Sequence, residues 1–428
     1  MYVSHDCLEG RSVKGKLTKQ EKSWILYDVG NSAFVMLSTA LIPIYFASLA
    51  EEGSSVVVAW GYAETVASLI LALLMPILGS LADLRGNKKK FLVGTIGTGA
   101  VACAALGLPQ AALPFLIVYV VSSVMLNGSM VFYDAFLVDA TTEDRFDEVS
   151  SHGYAWGYIG SCIPFIASLA IVLGGGAIGI DTALGMKIAF VLTAAWWVAF
   201  SIPLCRNVHQ THYKERTPNL VRDTFSGLLR TCRNIVRDRK LRLFMLAFFF
   251  YIDGVHTIIK MSTSYGTDLG IDSTQLVLAL LMTQFVAFPS AIAYGRLSKR
   301  FGCRRMLMVA VAAYAGITLF AAFFLRTAVE FWVLAFCVGM FQGGVQALSR
   351  SEFGKLIPKE HANEYYGFFD IFGKYAAVMG TFLVSVFTQI TGNSSAGVLS
   401  LVILFILGFV LLWRMPDTSE NGDVAGGN

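Results

Sequence analysis

Apolar residues in this chain form long, nearly unbroken blocks, with polar residues gathered between them. Twelve blocks stand out, at 24–49, 56–82, 91–108, 112–135, 151–173, 185–205, 243–263, 275–298, 306–326, 330–351, 365–390 and 394–414. A helix needs about 20 apolar residues to cross the hydrocarbon core of a bilayer. Backbone groups in lipid must be paired internally, which leaves helices or closed barrels. Barrel strands would show alternating segments of about ten residues, and these blocks do not alternate. The pattern therefore predicts an all-α membrane protein with twelve transmembrane helices in two pseudo-symmetric six-helix bundles. The fourth, fifth and eleventh blocks are more polar than a lipid-facing helix should be, so neighbours are expected to shield them.

The longest hydrophilic stretch, 206–242, separates six blocks from six and predicts three regions: a bundle over 1–205, a linker over 206–242, and a bundle over 243–428. Within the linker, Leu220, Val221, Phe225, Leu228, Leu229, Ile235 and Val236 recur at helical spacing, with Arg222, Arg230, Arg233 and Arg237 on other faces. That arrangement reads as an amphipathic helix on the cytoplasmic surface or as a solvated linker that contains leucines.

Composition sharpens the picture. The 428 residues are 55% hydrophobic and only 14% charged, against roughly a quarter charged in soluble proteins, which excludes a soluble enzyme. The small net charge of +4 matters less than its placement. Of 33 Lys and Arg, all but Lys187, Lys260, Arg326 and Lys374 fall in, or at the edge of, the tails and the loops after even-numbered blocks. The positive-inside rule then puts both termini in the cytoplasm. The polar start of the chain shows no cleavable signal, so the first crossing is expected to direct insertion. Seven scattered cysteines without a CxxC pair suggest neither a disulfide framework nor a metal site. No GxxxxGK[ST] loop is present to hold nucleotide phosphates, and no cofactor or nucleic-acid partner is expected.

An internal repeat carries the next inference. Residues 79–89 read GSLADLRGNKK and residues 295–305 read GRLSKRFGCRR, each after the second crossing of its half. Gly79, Leu81 and Gly86 match Gly295, Leu297 and Gly302 at identical spacing. Glycine permits close helix approach, Asp83 can pair with a base or cap a helix start, and Arg85, Lys88, Lys89 and Lys90 can anchor the loop. The loop resembles the signature of the major facilitator superfamily, which implies that fold, a gating role for Gly79, Asp83, Arg85 and Lys88, and a site where the halves meet. The second copy departs from the signature by placing Lys299 at the acidic position.

Ionisable residues inside a crossing are costly and tend to face the bundle interior or a watery cavity. The first crossing supplies Asp28 and Asn31, three apart; Asp28 reads equally as interfacial or as the partner of a basic loop. The seventh supplies Asp253, His256 and Lys260 on one stripe, with Asp253 and Lys260 about 10 Å apart along the axis. The stripe suits proton uptake and release, or a structural network joining the halves. Asp370 and Lys374 stand at the i,i+4 spacing of an intrahelical pair. Gln284, Gln342 and Gln346 offer amides for a polar ligand or for gluing helices. Glu64 is a lone internal acid. Asp134, Asp139, Glu143, Asp144, Asp147 and Glu148 read as a solvated acidic face or as partners in a closed gate. Tyr154, Trp156 and Tyr158 read as interfacial anchors.

Several segments together are similar to the autophagy-related vacuolar effluxers of fungi and their bacterial relatives: LYDVGNSAF (26–34), DAFLVDAT (134–141), FYIDGVHTII (250–259), TQFVAFPSA (283–291), GGVQALSRSEFGKLIP (343–358) and YGFFDIFGKYAA (366–377). The resemblance implies a secondary transporter working by alternating access, with amino acids as cargo. Asp28, Asn31, Asp253, His256, Lys260, Gln284, Gln346, Asp370 and Lys374 are the candidate substrate-binding or coupling residues, with protons as the coupling ion to test. A lipid-like cargo along the 55 aromatic rings, or a non-transporting receptor on the same fold, are the rival readings. A monomer in a bacterial cell membrane is expected, or in a vacuolar membrane if the source is eukaryotic.

Overall fold

In a computed structural model, described over residues 16–49, 56–215, 220–268 and 270–416, the chain is helical, and no strand occurs among the described residues. The helices are α1 (Lys19–Leu49), α2 (Val56–Ala82), α3 (Lys88–Ala105), α4 (Ala112–Ala135), the short α5 (Leu137–Ala140), α6 (Phe146–Gly174), α7 (Thr182–Asn207), α8 (Leu220–Arg237), α9 (Arg239–Asp268), α10 (Ser273–Phe301), α11 (Cys303–Phe324), α12 (Ala328–Leu356), α13 (Ala362–Thr391) and α14 (Ser394–Trp413). Eleven of them are long and apolar enough to cross a membrane. The twelfth expected crossing falls on α3, which opens on three lysines and packs between α4 and α7. The outer surface carries large exposed apolar side chains such as Leu73, Val101, Leu173 and Ile390, which suit lipid rather than water. Most of both tails lies outside the described residues.

Helix ends differ from the apolar blocks. Helix α6 starts at Phe146, five residues before the expected 151, and α12 runs on to Leu356. Backbone hydrogen bonding continues past the apolar stretch, and side chains there find polar partners; periodicity of apolar residues marks only the lipid-buried part of each helix.

The two halves repeat one packing scheme. In the first, α1 lies against α6 and α7, α2 against α4, and α3 against α4 and α7. In the second, α9 lies against α13 and α14, α10 against α12, and α11 against α12 and α14. The halves meet symmetrically, α2 on α13 and α10 on α6, with further contact of α6 on α12 and α4 on α13. Both copies of the repeated loop turn on a glycine with positive φ, Gly86 at +74° and Gly302 at +88°, a region that other residues adopt only at a cost.

Candidate functional site: a buried charge lock between the halves

Arg350 on α12 is the centre of the contact, 2% exposed. Its Nη2 donates to Asp28 Oδ2 of α1 at 3.2 Å and to the Ser150 carbonyl of α6 at 3.0 Å. Nη1 donates to Asp134 Oδ1 of α4 at 3.0 Å, and Nε to Ser150 Oγ at 2.9 Å. Four hydrogen bonds thus run from one half to three helices of the other. The flat guanidinium also lies over the rings of Tyr154 and Trp24, 4.3 and 4.6 Å from their centroids, an arrangement a lysine would not reproduce. Tyr133 donates its hydroxyl to Asp28 Oδ2 at 2.7 Å, and Asn31 donates its amide to Oδ1 at 3.2 Å. Gly153 leaves room for the lock: a Cβ there would lie 2.5 Å from Asp28 Oδ2 and 3.0 Å from Arg350 Nη2.

Around this centre the two repeated loops seal the same end of the molecule. Gly79 lets α2 touch α13, since a Cβ would come 2.5 Å from the Asn363 carbonyl oxygen. Asp83 is completely buried and receives the first backbone N–H groups of α13, Asn363 N at 2.9 Å and Glu364 N at 3.1 Å, plus the Asn363 side chain at 2.7 Å. Those groups are unpaired donors at the positive end of the helix. Lys214 of the linker reaches Glu364 Oε2 at 2.6 Å and Asp83 Oδ2 at 3.8 Å. Burial pushes the Asp83 carboxyl up to about 6, against the pull of Lys214 and Lys88.

In the second copy Gly295 rests on the start of α6, where a Cβ would meet Ser151 at 2.7 Å. Lys299, which stands where the first copy has its acid, pairs with Glu148 of α6. Lys355 and Ser351 of α12 hold Asp147 at 2.5 and 2.6 Å. The departure from the signature is therefore a reversal of polarity: here the base lies on the loop and the acid on the facing helix. This corrects the solvated reading of the acidic segment. Asp139 and Asp147 are buried and Asp134 and Glu148 are largely covered, while Glu143 and Asp144 are exposed.

Of the other expected gating residues, Arg85 is exposed, 3.7 Å from Glu215 and over the Tyr213 ring. Lys88 is fully buried and bonds Asp139 at 2.7 Å and the Ala135 carbonyl at 3.2 Å. Both stay on the first half and the linker, and they brace the loop without reaching across. Asp139 also accepts from the backbone N–H groups of Thr211 and His212. Burial works against its charge, but Lys88, His212 and Thr211 outweigh it and hold the carboxyl well below the usual range.

Deeper in the bundle the expected stripe on α9 is graded. Asp253 is 0% exposed; its Oδ1 accepts from Gly380 N at 2.8 Å and Thr257 at 3.4 Å, while Oδ2 has no hydrogen-bond partner among the described residues. His256 is half-buried and Lys260 exposed. Lys374 bonds Asp370 Oδ2 at 2.6 Å within α13, as the spacing predicts. Asp370 is close enough to Asp134 for their charges to interact. Gln346 accepts from Tyr158 of the other half at 3.3 Å. Gln284 lines a small cleft among α9, α10 and α12 with Gln342 and Ser262. Glu64 accepts from the Tyr119 hydroxyl.

The sequence reading missed Arg350 as the hub, although it is the single charge in the run from Phe341 to Ser351. Tyr154, Trp156 and Tyr158 also change role: all three touch the other half, Tyr154 at Arg350, Tyr158 at Gln346 and the partly exposed Trp156 at Phe288 of α10. Among the described residues one group, Asp83, His361 and Glu364, brings ligand-type atoms within 4.8 Å of one another. The Lys214 ammonium already sits against both carboxylates, so these residues fit a salt bridge better than a cation.

Twelve crossings in two matching halves, locked at one end by paired loops, define a transporter of the major facilitator superfamily rather than an enzyme. The fold matches the human organic anion transporter MFSD10 (TETRAN), with a TM-score of 0.74 and 15% identity over 93% of this chain and 100% of that one. It also matches FucP in its outward conformation, with a TM-score of 0.71 and 13% identity over 94% and 98%. The family model described as "Vacuole effluxer Atg22 like" matches residues 53–423. The uncharacterized MFS-type transporter YxiO of Bacillus subtilis strain 168 is 46% identical over 414 residues, 95% of this chain and 96% of its own. Autophagy-related protein 22 of Cryptococcus neoformans (strain JEC21) is 24% identical over 290 residues, 62% of this chain and 50% of the fungal protein; the chain thus matches about half the length of that relative. This protein belongs to the Atg22-like family.

Proposed function

We propose that the protein moves amino acids across a bacterial cell membrane by alternating access, with the locked end and both termini cytoplasmic and with Asp253 coupling transport to protons. The single observation that carries the alternating-access reading is Arg350: a buried cation whose four hydrogen bonds all go to the opposite half ties closure of that end to the relative position of the bundles. Opening must separate this cation from Asp28 and Asp134, so each needs another partner, water or cargo, in the open form. Charges of both signs, the Asp370–Lys374 pair with Asp134 nearby, suit a zwitterion whose ammonium and carboxylate exchange for those partners. The resemblance to vacuolar effluxers supports amino acids over other zwitterions. Asp253 supports proton coupling because a fully buried carboxylate with one oxygen unpaired among the described residues is costly to keep charged. The monomer is taken as the working unit.

Counterflow of radiolabelled amino acids in proteoliposomes, beside sugars, peptides and lysolipids, tests the cargo: exchange confined to lysolipids overturns the amino-acid reading. Loss of pH-gradient-driven uptake in Asp253→Asn, with counterflow retained, is the expected sign of coupling. Uptake indifferent to both the gradient and that substitution refutes it.

A further inference from the structure

We infer that α8, in the linker between the halves, docks on the anionic phospholipid surface of the bilayer that surrounds the protein. The helix has three distinct faces. Thr224, Thr231 and Ile235 are buried and fall within a sector of about 40° at 3.6 residues per turn; through that face α8 packs on α2, α9 and α13. Turned away from them, Leu229 at 73% exposure, Val236 at 61% and the exposed Cys232 fall within a second sector of about 60°. Exposed Arg230, Arg233 and Arg237 form a third sector beside it. None of these arginines forms an ion pair among the described residues. An apolar stripe flanked by bases, with the remaining face fixed to the protein, is the arrangement of an interfacial helix that sinks aliphatic side chains at the acyl boundary and sets cations at phosphate level.

Charge complementarity selects the partner. The linker from 206 to 242 carries ten Lys and Arg against three acids, Glu215, Asp223 and Asp238. The aliphatic stripe favours lipid over nucleic acid or an acidic protein, because neither of those gains from Leu229 and Val236 beside its phosphates or carboxylates. Helix α8 also touches α2 and α13, the two helices joined by Asp83. Lipid composition is thereby connected to the gate through one rigid element.

The test uses the full-length protein in nanodiscs of phosphatidylcholine alone or mixed with phosphatidylglycerol. Cys7, Cys205 and Cys337 are replaced by serine and Cys232 carries a fluorophore quenched by lipid-borne nitroxide. Quenching should rise with phosphatidylglycerol content and fall in high salt. The docked-to-undocked ratio should drop about fivefold for each of Arg230, Arg233 and Arg237 changed to Gln, roughly a hundredfold for all three. A second variant, Leu229→Ser, should weaken quenching without changing its salt dependence. Equal quenching in neutral and anionic discs, or none in either, overturns the inference. Quenching that appears only on adding nucleic acid or an acidic protein overturns it too.

Discussion

Replacing Arg350 by alanine should unlock the end of the molecule that the paired loops close. The substitution removes one cation and leaves Asp28 and Asp134 facing each other in a site where Arg350 itself is 2% exposed and the two acids are 6% and 18% exposed. Exposed ion pairs contribute about 0–1 kcal/mol, but stripping one partner from a buried pair costs about 3–5 kcal/mol. In the open form water reaches all three groups, so most of that cost falls on the closed form. The closed-to-open ratio should fall by roughly two to three decades, at 1.4 kcal/mol per decade. Maleimide labelling of Ser151→Cys, fully buried beside Gly295 in the closed form, reads the open population directly. Arg350→Lys should give an intermediate rate, because an ammonium cannot reach Asp28, Asp134 and Ser150 together or stack between Trp24 and Tyr154. The decisive variant removes all three charges: Arg350→Met with Asp28→Asn and Asp134→Asn leaves no uncompensated ion and should restore slow labelling. If Arg350→Ala labels no faster than the parent, or the neutral triple variant labels as fast as Arg350→Ala, the charge-lock account is refuted.

Gly153→Ala should open the same end by inserting a methyl group between Asp28 and Arg350, at a cost of about 1–3 kcal/mol, read by the same labelling. Closure should also respond to pH through Asp83, which shares its site with Lys214, Glu364 and His361. Its carboxyl titrates at about 6 in the closed form against an ordinary 3.8, so the closed form holds a proton that an open, hydrated form releases. Acidification through that window should favour closure, by at most ~3 kcal/mol, an advantage lost as pH rises through about 6. Asp83→Asn should flatten the labelling-versus-pH curve; an unchanged slope rejects this assignment. Lys299→Ala should change labelling less than about fivefold, since Lys299 is 46% exposed and such pairs contribute little; a hundredfold change would show that the second loop carries more of the closure than its solvation allows.

The second repeat shows how far pattern reading reaches. Gly295 and Gly302 sit at the same spacing as Gly79 and Gly86, and both pairs serve the same ends, close approach and a positive-φ turn, because backbone geometry is a local demand that residue type answers directly. The charge at the next position has no such tie. Lys299 stands in place of an acid, and Glu148, which lies 151 residues away in the chain, supplies the opposite sign. The Asp370–Lys374 pair was legible because four residues along a helix bring two side chains together. Asp28 with Arg350, 322 residues apart, was not.

The sequence by itself determined that this is a twelve-crossing helical membrane protein in two matched halves, and which family it resembles. Those properties depend on the length of apolar blocks, on charge counts in loops and on residue type at short spacing, each a sum of local transfer or backbone terms. Only the tertiary structure decided which buried charges meet. Asp28, Asp134 and Arg350 acquire their roles from the docking of one bundle on the other, and the strength of a charge interaction depends on distance and water exclusion, neither of which spacing along a chain encodes. The same holds for Asp253, whose burial and hydrogen bond to the Gly380 N–H arise from the packing of α9 against α13.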